Sequence, residues 1–113
     1  MAQSRRIPLE VVRLVRAFEQ RLRERFGAAL CDVRLFGSFA REAGCEDSDV
    51  DVLVVLERLD YASQRDVLNI AADLFIDSNL LVSPTVFERE CYRAYVAQER
   101  PLASEIEREG LHV

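Results

Sequence analysis

Two aspartates separated by a single valine, Asp49 and Asp51, open the most apolar stretch of the sequence. Side chains alternate along a β-strand, so the two carboxylates share one face, with their α-carbons roughly 6.6 Å apart. Like charges at the mouth of a buried strand raise a pKa or destabilise the fold unless a cation compensates them. Magnesium binds carboxylate oxygens and takes water or phosphate oxygens as its other ligands. The pair therefore predicts a magnesium site.

A glycine–serine pair, Gly37 and Ser38, precedes the aspartates. Glycine lets the backbone approach a ligand closely, and serine with the amides after it presents donors at a helix start, where phosphate is favoured. Each motif alone is weak evidence, because acids at strand ends are commonly just solvated. Together, in the order strand, glycine–serine turn, helix, loop and strand, they predict a site for a nucleoside triphosphate.

The hydrophobic pattern predicts the elements that position these motifs. Valines on both sides of strand 49–56 indicate a central strand, and Pro84 indicates that strand 80–87 lies at an edge. Asp77 is expected to cap the end of the helix before that strand. The fold class is α/β, a single domain over residues 1–113 with a small sheet flanked by helices. The predicted helices are 8–26, 39–43 (capped by Ser38), 61–76 (with Val67, Ala71, Leu74 and Phe75 inward), 88–98 and 101–109; the strands are 33–36, 49–56 and 80–87.

Charge and composition limit the functions open to this chain. Its 113 residues carry a net charge of −5, which argues against general nucleic-acid binding. Residues 1–26 hold seven arginines against three acids, so this segment either touches an acidic partner or RNA, or forms a solvated helix face. The solvated face is favoured, with pairs such as Glu19 and Arg23 at i,i+4 spacing.

Membrane and disulfide classes are not indicated. No run of about 18 apolar residues exists, and residues 1–6 do not resemble a secretory signal, so we expect a cytoplasmic protein. The three cysteines (Cys31, Cys45 and Cys91) are odd in number and far apart, which predicts reduced thiols without a zinc site.

Three short stretches carry a family resemblance: Gly37-Ser38, Ala40-Arg41, and Ser48-Asp49-Val50-Asp51. Together they resemble the GSxARG…SDxDL signature of the DNA polymerase beta-like nucleotidyltransferases, and above all the small bacterial minimal nucleotidyltransferases. The likeness extends loosely over most of the chain, including the late segment 101–110.

The resemblance implies a mixed sheet flanked by helices, and transfer of a nucleoside monophosphate, usually AMP from ATP, with magnesium. Asp49 and Asp51 are then the catalytic metal ligands, and Gly37 and Ser38 hold phosphates. Arg41 either pairs with a phosphate or caps local structure. The acceptor and the nucleotide preference stay open. The family also implies a helical HEPN-type partner protein, which it neutralises in some cases by adding AMP.

The chain departs from the family pattern in two places. Glu42 replaces the glycine expected after Arg41. The third carboxylate of the family is expected near Leu81, where the sequence is apolar, and Asp77 is the nearest acid. The enzyme is therefore expected to be weak or dependent on a partner, and a degenerate nucleotide-binding module is the alternative. A chain of this size has little room for an acceptor-binding domain, which favours a partner protein or a homo-oligomer.

Overall fold

The computed structural model describes residues 7–41 and 49–113. Glu42, Cys45 and Ser48 lie outside the described residues. Four helices and three strands follow one another in the described part of the chain. They are α1 (Leu9–Phe26), β1 (Leu30–Phe36), β2 (Val50–Leu56), α2 (Tyr61–Ser78), β3 (Val82–Glu88), α3 (Arg89–Ala97) and α4 (Pro101–Glu109).

Helix α1 forms as its spacing predicts. Its buried residues recur every three or four positions, as one face of an α-helix requires: Val11, Leu14, Val15, Phe18 and Leu22. The helix ends at Gly27, whose φ of 57° favours glycine. On its solvated face Arg23 pairs with Glu19 at 2.7 Å, the i,i+4 pair that the sequence indicates.

The sheet is mixed, as the family resemblance implies, with the order β1-β2-β3. Strand β2 runs antiparallel to β1 and parallel to β3. It is central, and β3 lies at an edge, which confirms both expectations from the valine pattern and from Pro84. An edge tolerates Pro84 because a strand with one neighbour leaves half of its amides unpaired.

Alternation along β2 separates two cores. Val50, Val52, Val54 and Leu56 pack in a cluster with α1 and α2 on one face of the sheet. Residues Leu53 and Val55 pack in a second cluster on the other face, with side chains from α3 and α4. Asp51 has the parity of Leu53, so its carboxylate belongs to the face that carries α3 and α4.

Several boundaries differ from those the sequence predicts. Strand β1 begins at Leu30 rather than Val33, because an irregularity between Leu30 and Asp32 interrupts the apolar alternation that marks a strand. Within the described part of the predicted helix 39–43, the chain forms a hydrogen-bonded turn.

Two expectations for α2 were wrong. Phe75 is 42% exposed, and Ile70 takes the buried position beside Val67 and Ala71. The helix is capped by Asn79 in the left-handed conformation, with φ 59°, and not by Asp77. Asparagine tolerates that conformation better than other non-glycine residues, so the helix runs two residues past Ile76.

The larger core should be sensitive to loss of Phe18, which is fully buried. We expect Phe18→Ala to lower the free energy of unfolding by about 3–5 kcal/mol, because it removes apolar contact and leaves a cavity. Urea denaturation measures this change. Leu9→Ala, at a position 60% exposed on the same helix, should change stability by no more than about 0.5 kcal/mol. Equal effects of the two variants would contradict the assignment of Phe18 to the core.

Candidate functional site

Asp49 and Asp51 lie where β2 begins. Asp49 is exposed and precedes the strand, whereas Asp51 is half-buried within it and pairs with Phe36, the last residue of β1. The antiparallel pairing therefore brings the start of β2 beside the turn that follows β1. The structure places both aspartates and the glycine–serine turn at one end of the sheet.

Gly37 packs directly against Asp51. Its φ is 78°, and a Cβ atom built on it would run into the Asp51 carboxylate. Any side chain at this position would displace that carboxylate or the turn, so glycine is required both by backbone conformation and by space. The turn is closed by the Arg41 amide, which donates to the carbonyls of Gly37 and Ser38 at 3.1 Å each.

Arg41 contacts the last helix. Its Nη1 lies 3.3 Å from Glu105 Oε2 and 3.2 Å from Glu109 Oε1. The sequence left two roles open for Arg41, pairing with a phosphate or capping local structure. In the chain without ligand, these contacts give it the structural role. Sequence reasoning missed Glu105 and Glu109. Their i,i+4 spacing predicts a shared helix face, but no local pattern connects that face with Arg41.

The site has an excess of negative charge. Partial burial raises the pKa of Asp51, and the charges of Asp49 and Glu105 raise it further, while Arg41 acts in the opposite direction. The ionised form of Asp51 has thus lost part of its hydration, and it faces two negative charges that Arg41 opposes. A bound cation would relieve this cost.

The strand register shows which residue of β3 lies beside Asp51. Ser83 lies opposite Asp51 in the parallel pairing of β2 and β3, so this hydroxyl, and not Leu81, occupies the neighbouring strand position. Leu81 precedes β3, and its carbonyl accepts a hydrogen bond from the Val50 amide at 2.8 Å. Asp77 is exposed on α2, whose buried residues pack against the opposite face of the sheet. Across residues 7–41 and 49–113, no group of three or more metal-binding side chains is assembled.

Two carboxylates suit magnesium bound together with a phosphate ligand. Magnesium usually takes one or two protein carboxylates and completes its octahedron with water and substrate phosphate oxygens. The donor set of Asp49 and Asp51 and the raised pKa of Asp51 fit this arrangement. The residues present therefore fit the metal that the family resemblance implies.

A pocket of about 360 Å³ lies away from these residues, near the other end of the same sheet face. Asp32, Val55, Arg93 and Glu107 are among its lining residues, and Val55 is four positions along β2 from Asp51. His112 contacts Asp32, with Nε2 2.8 Å from Oδ1. The acidic groups and the glycine turn, not this pocket, define the candidate catalytic site, because metal and phosphate need charged ligands and close backbone approach.

The chain belongs to the nucleotidyltransferase domain family, whose model matches residues 15–101. The match spans all three strands and the site between β1 and β2. The protein is therefore a transferase of nucleotidyl groups by family. None of the helices in the described ranges has the length and apolar character needed to cross a bilayer.

Two named proteins are similar in sequence to this chain. The chain is 24% identical over 106 residues to a Methanocaldococcus jannaschii protein provisionally named a protein adenylyltransferase, covering 93% of this chain and all of that protein. It is 42% identical over 50 residues to the protein adenylyltransferase MntA of Thermococcus cleftensis, covering 44% of this chain and 48% of MntA.

Solved structures share the fold. One, provisionally described as a minimal nucleotidyltransferase, is 25% identical with a TM-score of 0.62, over 97% of this chain and 100% of that chain. A toxin–antitoxin structure with AMP-PNP is 19% identical with a TM-score of 0.57, over 83% of this chain and 68% of that chain. The first of these confirms the family assignment, and the second shows the shared fold.

Removing the Asp51 charge should stabilise the metal-free protein at neutral pH. Because its pKa is higher in the folded chain, Asp51 contributes stability below its ordinary pKa of 3.8 and loses it as the pH rises through the folded value. In EDTA we expect Asp51→Asn to raise the free energy of unfolding at neutral pH by up to about 1 kcal/mol, because the carboxylate is partly solvated. The gain should vanish below pH 3.8. Denaturant titrations at the two pH values measure it.

Asp60→Asn is the matched control. The Asp60 carboxylate accepts a hydrogen bond from the Ser63 amide at 2.8 Å, and this bond lowers its pKa. Its replacement should bring no gain at neutral pH. If Asp51→Asn and wild type were equally stable at neutral pH, the Asp51 charge would not be a source of destabilisation.

Proposed function

We propose that this chain transfers AMP from ATP to an acceptor, with magnesium held by Asp49 and Asp51. The observation that carries the proposal is the contact between the Gly37 backbone and the Asp51 side chain, which joins a phosphate-binding turn to a pair of carboxylates. Neither half accounts for nucleotidyl transfer alone. Their contact supports a site in which one triphosphate meets both.

Each residue of the site has a proposed role. Gly37 permits close approach of the triphosphate to the backbone, and Ser38 donates to its phosphate oxygens. Asp49 and Asp51 would hold magnesium, which when bound offsets charge on the phosphates and on the leaving pyrophosphate. A nucleophilic oxygen of the acceptor attacks the α-phosphorus. The bond from the α-phosphorus to the bridging oxygen breaks, pyrophosphate leaves, and the acceptor's proton passes to solvent or to a base.

We propose a protein as the acceptor. Two relatives are named as protein adenylyltransferases, and a structure with the same fold is a toxin–antitoxin complex. A helical HEPN-type partner is the acceptor we favour, and a second copy of the chain is the alternative that a transfer experiment distinguishes. A cytoplasmic location accords with this activity, since ATP is abundant there.

A second candidate function is nucleotide binding without efficient turnover. The observation in its favour is Ser83, a neutral hydroxyl at the strand position opposite Asp51. Two carboxylates can hold one metal ion with the triphosphate. The acid of the neighbouring strand, Glu88, pairs with Leu56 at the other end of β2 and so lies away from Asp51. Binding and transfer therefore need separate tests.

ATP binding should depend on both magnesium and the aspartate pair. Titration calorimetry of ATP should show affinity at least about tenfold weaker in EDTA than in magnesium, and similarly weaker for Asp49→Asn/Asp51→Asn, because the triphosphate then loses its bridging cation. Asp66→Asn/Asp73→Asn is the matched control, since it removes two carboxylates on α2 that pair with arginines of α1. Equal affinity for wild type and the site variant would refute the assignment.

Transfer by the isolated chain should be slow. General-base assistance contributes roughly 10²–10⁴-fold, and its absence leaves the rate low but not zero. With magnesium and labelled ATP we expect far less than one turnover per second by the chain alone, and a marked acceleration when a HEPN-type protein is added. Label on this chain itself would identify a second copy as the acceptor. Several turnovers per second without any partner would contradict the prediction, and loss of that activity in Asp77→Asn would identify the missing acid.

A further inference from the structure

The side chain at the end of the glycine–serine turn, Arg41, contacts the last described helix, α4. Among the described residues, the Arg41 guanidinium pairs with two acids of α4, at 3.3 Å from Glu105 and 3.2 Å from Glu109. These acids lie one helical turn apart, so both reach the same guanidinium. We call these three residues the Arg41 clamp.

Helix α4 is firmly attached to the sheet. Ala103 and Ile106 are buried in the cluster beneath β1 and β2. Directly after the helix, Leu111 exchanges two backbone hydrogen bonds of 2.8 Å with Leu35 of β1. Glu105 and Glu109 therefore have a fixed position relative to the strand that leads into Gly37.

Arg41 lies at the C-terminal end of the turn, and β1 leads into its N-terminal end. The Arg41 amide closes the turn on Gly37 and Ser38, while its side chain reaches α4. The turn is thus held at both ends, by the strand before it and by the clamp after it. In this way α4 orients the backbone amides of the turn through Arg41. It does so without itself contacting a phosphate.

We propose that Glu105 and Glu109 are positioning residues that act through Arg41 to hold the phosphate-binding turn, which makes α4 part of the nucleotide site. This inference rests on the proposed function, because it assigns the turn to ATP. It also gives Arg41 a structural role, because its charge is paired with the acids of α4. The phosphates would then be bound by the metal and the backbone amides.

The alternative is a latch, in which Arg41 leaves the two acids to bind phosphate. The two models predict opposite signs for the same substitution. If the acids hold the turn, removing their charge disorders it and weakens ATP binding. If they compete with phosphate for Arg41, removing their charge frees the guanidinium and strengthens binding, and the loss of two negative charges near the triphosphate adds to that gain.

The experiment compares wild type with Glu105→Gln/Glu109→Gln. For ATP with magnesium we expect calorimetric affinity to fall about three- to tenfold, the range for loss of two partly exposed ion pairs. In the transfer assay the loss should appear in KM for ATP and leave kcat nearly unchanged, because the reacting groups are intact. Glu19→Gln, which removes one acid paired with an arginine on α1, should leave affinity unchanged. Unchanged or higher ATP affinity in the α4 variant would overturn the clamp.

Charge reversal tests whether the acids act through Arg41. Arg41→Glu alone should weaken ATP binding, and adding Glu109→Arg should restore most of it by re-forming the pair in the opposite sense. If each residue acted only locally, the losses in ATP affinity caused by Arg41→Glu and by Glu109→Arg would add in the double variant. Additive losses would therefore also overturn the proposal.

Amide hydrogen exchange separates this inference from the proposed function. In the protein without nucleotide, the amide of Arg41 should exchange several-fold faster in Glu105→Gln/Glu109→Gln than in wild type or Glu19→Gln. This readout needs no ATP. If wild type fails to bind ATP, the proposed function fails while exchange still decides whether the clamp holds the turn. Identical exchange in all three proteins would refute the clamp whatever ATP does.

Discussion

The close packing of the Gly37 backbone on the Asp51 carboxylate is the constraint on which the site depends. It needs a residue without a side chain at a positive φ, and it needs β1 to end where β2 begins. The antiparallel pairing of Phe36 with Asp51 supplies the second condition. A turn that suits phosphate and a carboxylate that suits a metal thus become neighbours through one pair of strands.

The same arrangement places more acidic than basic side chains around Asp51. Asp49, Asp51 and Glu105 face the site, and among described residues Arg41 is the cation that acts on Asp51. Stability alone would favour fewer acids there, because partial burial penalises an ionised carboxylate. The proposed magnesium site would account for these acids, because a bound cation would offset their charge.

The sheet divides the work between its two faces. Its α1 and α2 side holds the larger apolar cluster, with most of the buried apolar residues. Its α3 and α4 side carries Asp51, Ser83 and the Arg41 pairs, and so combines a smaller core with the polar chemistry. The larger core and the candidate site therefore lie on opposite faces of the same three strands. Helix α4 serves both, since Ile106 is buried while Glu105 and Glu109 reach the turn.

The sequence by itself determined most of the elements. Periodicity identified α1 and the central β2, and Pro84 indicated the edge strand β3, because these signals depend only on local geometry. The shared face of Asp49 and Asp51 stays a prediction, since β2 begins at Val50. Sequence reasoning failed where contacts join distant segments. The irregularity in β1, the choice of Ile70 over Phe75, the register that sets Ser83 beside Asp51, and the pairing of Arg41 with Glu105 and Glu109 were decided by tertiary packing. Arg41 and Glu109 are 68 residues apart, and no local pattern reports which of many surface acids an arginine will meet.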